Sequence, residues 1–168
     1  GSWWGHPQGK LIYETLTRMT DDVAWAKLVL GKETLVHRRL WSALVATAEA
    51  RQAWQLRGLP NDARQLLQRV RKGRPVTVEA RGAGASRKLA AVANDLERRL
   101  LARSYTEHTP AGHHARFLET WAAWARRNRI AAAELPAAAD AIQALSAPVM
   151  AWAPERRPPG LLPWLAAR

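Results

Sequence analysis

The 168-residue chain contains no cysteine. That absence removes disulfides, thiolate nucleophiles and cysteine-built zinc sites at once. It also lacks any run of about 18 apolar residues, so no segment reads as a membrane-spanning helix. No basic-then-apolar leader opens it, and Gly1-Ser2 reads as the remnant of a cleavage site. A cytoplasmic protein, nucleoid-associated if bacterial, is the simplest expectation. The short motifs of common chemistries are missing too: G-x-S-x-G, the phosphate-cradling G-x-x-x-x-G-K-S/T and H-E-x-x-H. Asp21-Asp22 suits a helix cap before an apolar run better than a catalytic pair. Gly82-Ala83-Gly84-Ala85 reads as a linker. No residue set nominates a catalytic site, and no cofactor is expected.

Acidic residues are scarce. Fourteen Asp and Glu stand against 26 Lys and Arg, for a net charge of +12 and a pI near 11.4. Such a surface attracts polyanions: nucleic acid, anionic lipid or an acidic protein. The excess is concentrated. Residues 61–103 hold eleven basic and four acidic side chains, and only Lys72 and Lys88 among the eleven are lysine. A GC-rich genome accounts for Arg over Lys but not for this local excess. Arginine's planar fork suits phosphate oxygens and the guanine edge. Membrane binding is disfavoured, because the basic helices lack the broad apolar face it needs.

The sequence predicts a mainly α chain with a small β-hairpin, a winged-helix-like module embedded in a helical domain. Residues 1–60 form an N-terminal helical region, 61–130 the module, and 131–168 a C-terminal helix and docking tail. In the first region, Lys10 to Met19 is a short amphipathic piece. Asp21-Asp22 caps a helix over 23–30 that Gly31 stops, and a longer helix runs from about 33 to 55. Gly58-Leu59-Pro60 ends it. A helix follows from Ala63 to about Lys72, then the β-branched run Val76-Thr77-Val78. Ser86 caps a further helix from Arg87 to about Leu100. Residues 101–109 and 113–121 read as two strands around the turn Pro110-Ala111-Gly112. A helix from Trp121 to about Arg129 and a last one over 137–145 complete the reading. The tail from Ala147 is irregular, and Trp152, Leu161, Leu162 and Trp164 dock it on the body.

Between Asn61 and Trp121 the order is helix, short strand, linker, helix, strand, turn, strand. At 100° per residue, Leu89, Val92, Ala93, Leu96 and Leu100 share one face of the helix after Ser86. The opposite face holds Arg87, Ala91, Asn94 and Arg98, with Lys88 on its flank. Arg and Asn suit the guanine and adenine edges, and Ala suits the thymine methyl. Arg69, Arg71, Lys72, Arg74 and Arg81 surround it as phosphate contacts, and His113 and His114 sit at the hairpin turn. Polar residues opposite an apolar stripe are common on any exposed helix, so the face alone does not decide between reading bases and meeting water. A metal site at His108, His113 and His114 is disfavoured, because the one nearby carboxylate, Glu107, points to the other strand face from His108. Nine tryptophans are present. Trp41, Trp121 and Trp124 fall beside apolar stripes and read as core, whereas Trp3, Trp4 and Trp152 lie in irregular segments.

Leu96-Glu97-Arg98-Arg99-Leu100-Leu101 followed by Tyr105 to Trp121 resembles winged helix-turn-helix modules. It is similar to the bacterial multi-winged-helix superfamily that includes the interstrand-crosslink DNA glycosylases. The resemblance covers about a third of the chain. It implies that the helix before the hairpin enters the major groove while the hairpin lies along the backbone. The Gln-x-Asp or Gln-x-Gln tripeptide that carries catalysis in those glycosylases is absent; Gln52 and Gln55 are three apart in a predicted helix. The chain is also too short for three tandem winged helices. The kinship therefore implies binding to double-stranded DNA more than base excision. Two alternatives stay open: a repair or modification enzyme of the same superfamily, and an interaction module for an acidic protein using Trp152, Arg156, Arg157 and Trp164. A homodimer or a larger parent protein is compatible with either.

Overall fold

A computed structural model describes residues 6–73, 75–78, 85–108, 114–152, 158 and 160–165. These are mostly helical, with two small antiparallel sheets. Helix α1 spans Gly9–Arg18. The chain then departs from the helical expectation. Where a helix is predicted over 23–30, Val23–Lys27 forms strand β1. Where a long helix is predicted over 33–55, Glu33–His37 forms β2, Trp41–Glu49 helix α2 and Ala53–Leu56 the short α3.

The run from Val23 to Leu30 is apolar enough to suit a buried helix or a strand, and tertiary pairing decides it. Ala24, Ala26 and Leu28 turn inward while Trp25 faces out. Ala24 pairs with the buried Val36, and Trp25 with Leu35 on the outer face. Gly31 does not stop a helix but closes a hairpin. Leu30 and Gly31 both take positive φ, 52° and 64°, and Lys32 N–H donates to the Val29 carbonyl. Such turns match the strand twist of tight hairpins. Asp22 caps no helix either. Its carboxylate pairs with Arg38 at 3.7 Å, and its carbonyl accepts from the Arg38 amide, joining the hairpin's open end.

Helix α2 is buried on nearly every side and forms the axis of a first core. Around it pack the hairpin's Ala24 and Val36, Trp121 and Trp124 of α6 (Trp121–Arg127), and Ala141 and Leu145 of α7 (Ala138–Trp152). Trp41, Trp121 and Trp124 meet edge to face, with centroids 5.0 and 5.6 Å apart. Helix α7 outruns its expected end at Leu145: it continues through Pro148 to Trp152. The irregular tail from Ala147 is thus corrected to helix over its first turns. Farther on, Leu162 is fully buried, and Trp164 leans on Trp54 while its Nε1 donates to Ser146 Oγ. Trp152 itself stays 83% exposed.

The break after α2 is braced by glutamines. Arg51 takes φ 48°, and Gln52 and Gln55 cap α3 reciprocally. Gln55 is fully buried, and its Nε2 donates to the carbonyls of Ala48 and Arg99.

A second core lies between helix α4 (Asn61–Arg71), helix α5 (Ala85–Arg98) and a three-stranded sheet. The strands are β3 (Val76–Thr77), β4 (Arg103–His108) and β5 (His114–Glu119), in the order β3-β5-β4. Strand β3 pairs only with Phe117 and Leu118, whereas β4 pairs with the whole of β5. Leu66 and Val70 of α4, Ala93 and Leu96 of α5, and Leu118 of β5 fill the space between. No helix among the described residues is long and apolar enough to cross a membrane. Because Leu44 is fully buried in the first core, Leu44→Ala is expected to cost about 2–5 kcal/mol. Urea unfolding would show this as a lower midpoint at unchanged slope.

Candidate nucleic-acid interface

Helix α5 buries the stripe its sequence specifies: Ala93, Leu96 and the adjoining Leu100 are inaccessible, and Leu89 and Val92 half-buried. Opposite them, Arg87, Ala91 and Arg98 are exposed. Lys88 is exposed as well, with a loose ion pair to Asp62 at 3.7 Å. Arg87 and Arg98 have no acidic partner among the described residues.

A third flank of α5 is covered by elements remote in sequence. Asn94 is half-buried, and its Oδ1 accepts from Lys27 Nζ at 2.7 Å and Arg116 Nη2 at 2.9 Å. An adenine contact would use that same carbonyl oxygen. The amide is engaged in the fold, which corrects its expected place on the reading face. One turn on, Glu97 is 5% exposed. Its carboxylate accepts from Lys27 Nζ at 2.8 Å, from Arg116 Nη2 and from Ser104 Oγ. Two cations and a hydroxyl thus satisfy one buried anion. The wheel of α5 places Asn94 and Glu97 off the apolar stripe. That β1 and β5 cover this flank has no local signal, because Lys27 lies 67 positions before Asn94.

A second buried carboxylate, Glu119, joins the sheet to α6. It accepts from Arg103 Nη1 at 2.9 Å and Arg127 Nη2 at 2.6 Å. The Arg103 guanidinium also lies 5.5 and 5.1 Å from the ring centroids of Trp121 and Trp124. Burial lowers the Arg103 pKa, and the Glu119 charge opposes that shift. It remains a cation at any working pH.

These contacts fix the direction of α5. Asn94 faces Arg116 and Glu97 faces Ser104, so α5 runs antiparallel to β4. Arg87 lies seven residues before Asn94, about 10 Å nearer the hairpin turn along the helix. Arg87, Lys88 and Ala91 therefore lie toward the His108–His114 end of β4 and β5. Arg98 sits at the other end of α5, in an open groove of 540 Å³ with Gly31, Trp54 and Arg57.

Arg69, Arg71 and Lys72 do not join the first group. They are exposed at the end of α4, and Gly73 and Pro75 just beyond line a cleft with Glu119 and Thr120. Glu119 is five strand positions from His114, a separation of about 17 Å. The expected single basic surface is thereby resolved into two groups at opposite ends of the sheet. Arg74, Arg81 and His113 lie outside the described residues, and His114 opens β5 opposite His108. Among the described residues no three His, Asp or Glu gather as metal ligands.

No protein-family model, curated protein or solved structure matches the chain.

Glu97→Ala would leave Lys27 and Arg116 facing each other without the buried carboxylate between them, with only the looser Glu33 pair at 3.9 Å on Lys27, at an expected cost of about 3–5 kcal/mol. A loss below about 1 kcal/mol in urea unfolding, the value of an exposed pair, would show that the cluster contributes little.

Proposed function

We propose that the chain binds nucleic acid, double-stranded DNA in particular, through a winged-helix module built from α4, β3, α5, β4 and β5. One observation carries this reading. The N-terminal half of α5 exposes Arg87, Lys88 and Ala91 toward the His108–His114 end of β4 and β5. In helix-turn-helix proteins the first residues of the reading helix meet the base edges. Arg87 supplies a fork for guanine or phosphate, Lys88 a point charge, and Ala91 room for close approach. The net charge of +12 adds an attraction independent of base sequence.

Asn94 and Glu97 serve this surface from behind. With Lys27 and Arg116 they fix the rotation of α5 about its axis, and so decide which residues face outward. Arg98, farther along, extends the exposed line toward the groove beside Gly31.

The enzyme alternative draws no support from the glutamine pair. Gln52 and Gln55 are consumed in capping α3 and bracing α2 against α5.

Fluorescence anisotropy with duplex DNA, single-stranded DNA and RNA across a salt series tests the proposal. Duplex affinity is expected to fall steeply with salt. In Arg87→Ala/Lys88→Ala, the slope of log affinity against log salt should shrink by about 2, the loss of two phosphate neutralisations. Absence of binding to all three probes at low salt would overturn the reading. Duplex binding with an unaltered slope in the double variant would move the contact away from α5.

A further inference from the structure

We infer that the chain has a second phosphate-binding site, in the cleft where the end of α4, the α2–α3 turn and α6 converge. The cleft has a volume of 210 Å³ and takes its charge from Arg51, Arg71 and Arg126, with Glu49 as the lone carboxylate in its lining. Glu49 is already engaged. It accepts from the Ala122 amide at 3.1 Å and pairs with Arg51 only at 3.9 Å. Arg71 and Arg126 are exposed and have no acidic partner among the described residues. Three guanidinium groups thus meet one carboxylate, for a net positive cleft.

Each arginine has an ordinary explanation when taken singly. Arg71 and Arg126 stand in the last turns of α4 and α6, where a cation complements the helix dipole. That accounts for neither their convergence nor Arg51. Arg51 takes φ 48°, a left-handed conformation uncommon outside glycine, at the turn that brings it to the same cleft. Three like charges with one carboxylate among them leave a net repulsion in the free protein. A phosphate group relieves the repulsion, and its oxygens match the arginine fork. Apart from the charged groups and Thr120, the lining is Ala48, Leu67, Gly73, Leu101 and Ala122, so the arginines dominate what the cleft offers a ligand.

The shared chemistry is a phosphate group, held either in a nucleic-acid backbone or as a free anion. Only the first source rests on the reading of the chain as a nucleic-acid binder. Because the cleft opens at the end of the sheet away from the hairpin turn, a strand there makes a contact separate from the one on α5.

Amide NMR titration of the full chain separates the two sites. Gly73 and Ala122 report the cleft, and Lys88 and Ala91 report α5. The probes are a short DNA duplex and inorganic phosphate, compared over the same range of phosphate concentration. The cleft signals are expected to move with the duplex. In Arg71→Ala/Arg126→Ala their apparent affinity should weaken by about tenfold or more, the loss of charge-assisted hydrogen bonds, while the α5 signals respond as in wild type. Both replaced side chains are exposed and unpaired, and unchanged signals elsewhere would confirm the fold. Movement with inorganic phosphate alone would uphold the site and assign it to free anions. Cleft signals that stay still with both probes, or respond equally in the double variant, would overturn it. Failure of the α5 signals alone would count against the winged-helix reading and leave the cleft standing.

Discussion

Glu97 is the contact on which the arrangement turns. A carboxylate this far from water is tolerable only when its lone pairs are satisfied by cations and donors. Lys27 comes from the N-terminal hairpin, Ser104 from β4 and Arg116 from β5, so one residue of α5 gathers the hairpin and the sheet around itself. The same cluster consumes Asn94. Because Lys27 belongs to the hairpin that packs on the first core while Leu96 anchors α5 in the second, this cluster ties the two cores together. Its outer face is what remains when these demands are met: Arg87, Lys88 and Ala91 near one end, Arg98 near the other.

Glu119 performs a related task at the opposite side of the sheet. Arg103 is held between its carboxylate and the indoles of Trp121 and Trp124, which orients α6 against β4. That orientation sets Arg126 outward beside Arg71. The two buried carboxylates thus organise different basic surfaces, one through the rotation of α5 and the other through the placement of α6. Charge that would otherwise be spread over the molecule is sorted into two groups by a pair of interior anions.

How much of this was legible in the sequence depended on how local its causes are. Helices α4 and α5 carry a clean apolar period, and β4 and β5 flank the Pro110-Ala111-Gly112 signal in the sequence, so their positions followed from pattern. The hairpin of β1 and β2 did not. Its apolar run satisfies helix and strand alike, and the choice is made by Val36 and by the positive φ at Leu30 and Gly31. The long helix expected across 33–55 failed for the same reason, and again at Arg51, where the glutamine caps of α3 end it. On α5, the exposure of Arg87, Lys88 and Ala91 followed from angular spacing, whereas the engagement of Asn94 depends on a lysine brought in by tertiary structure. The cleft of Arg51, Arg71 and Arg126 draws on three separated segments, and no window of the sequence contains it.

Among the described residues β3 pairs with β5 at Phe117 and Leu118, and Val78 N–H donates to the Arg116 carbonyl, so the sheet has three strands at its base and two toward its His108–His114 end. Two-stranded ribbons are marginal by themselves. The stiffness of the hairpin therefore declines along its length. Its root is clamped by Glu119 against Arg103 and, at the Thr106–Arg116 pair, by Arg116 against Glu97, and beyond that pair the strands continue through Glu107–Ala115 and His108–His114. Mechanically this is a bracket: a base held by two ion-pair clusters, with the outer end of the strand pair directed toward the exposed start of α5. The same clamps that hold the base also set the rotation of α5, so the aim of the helix does not depend on the outer end of the strands.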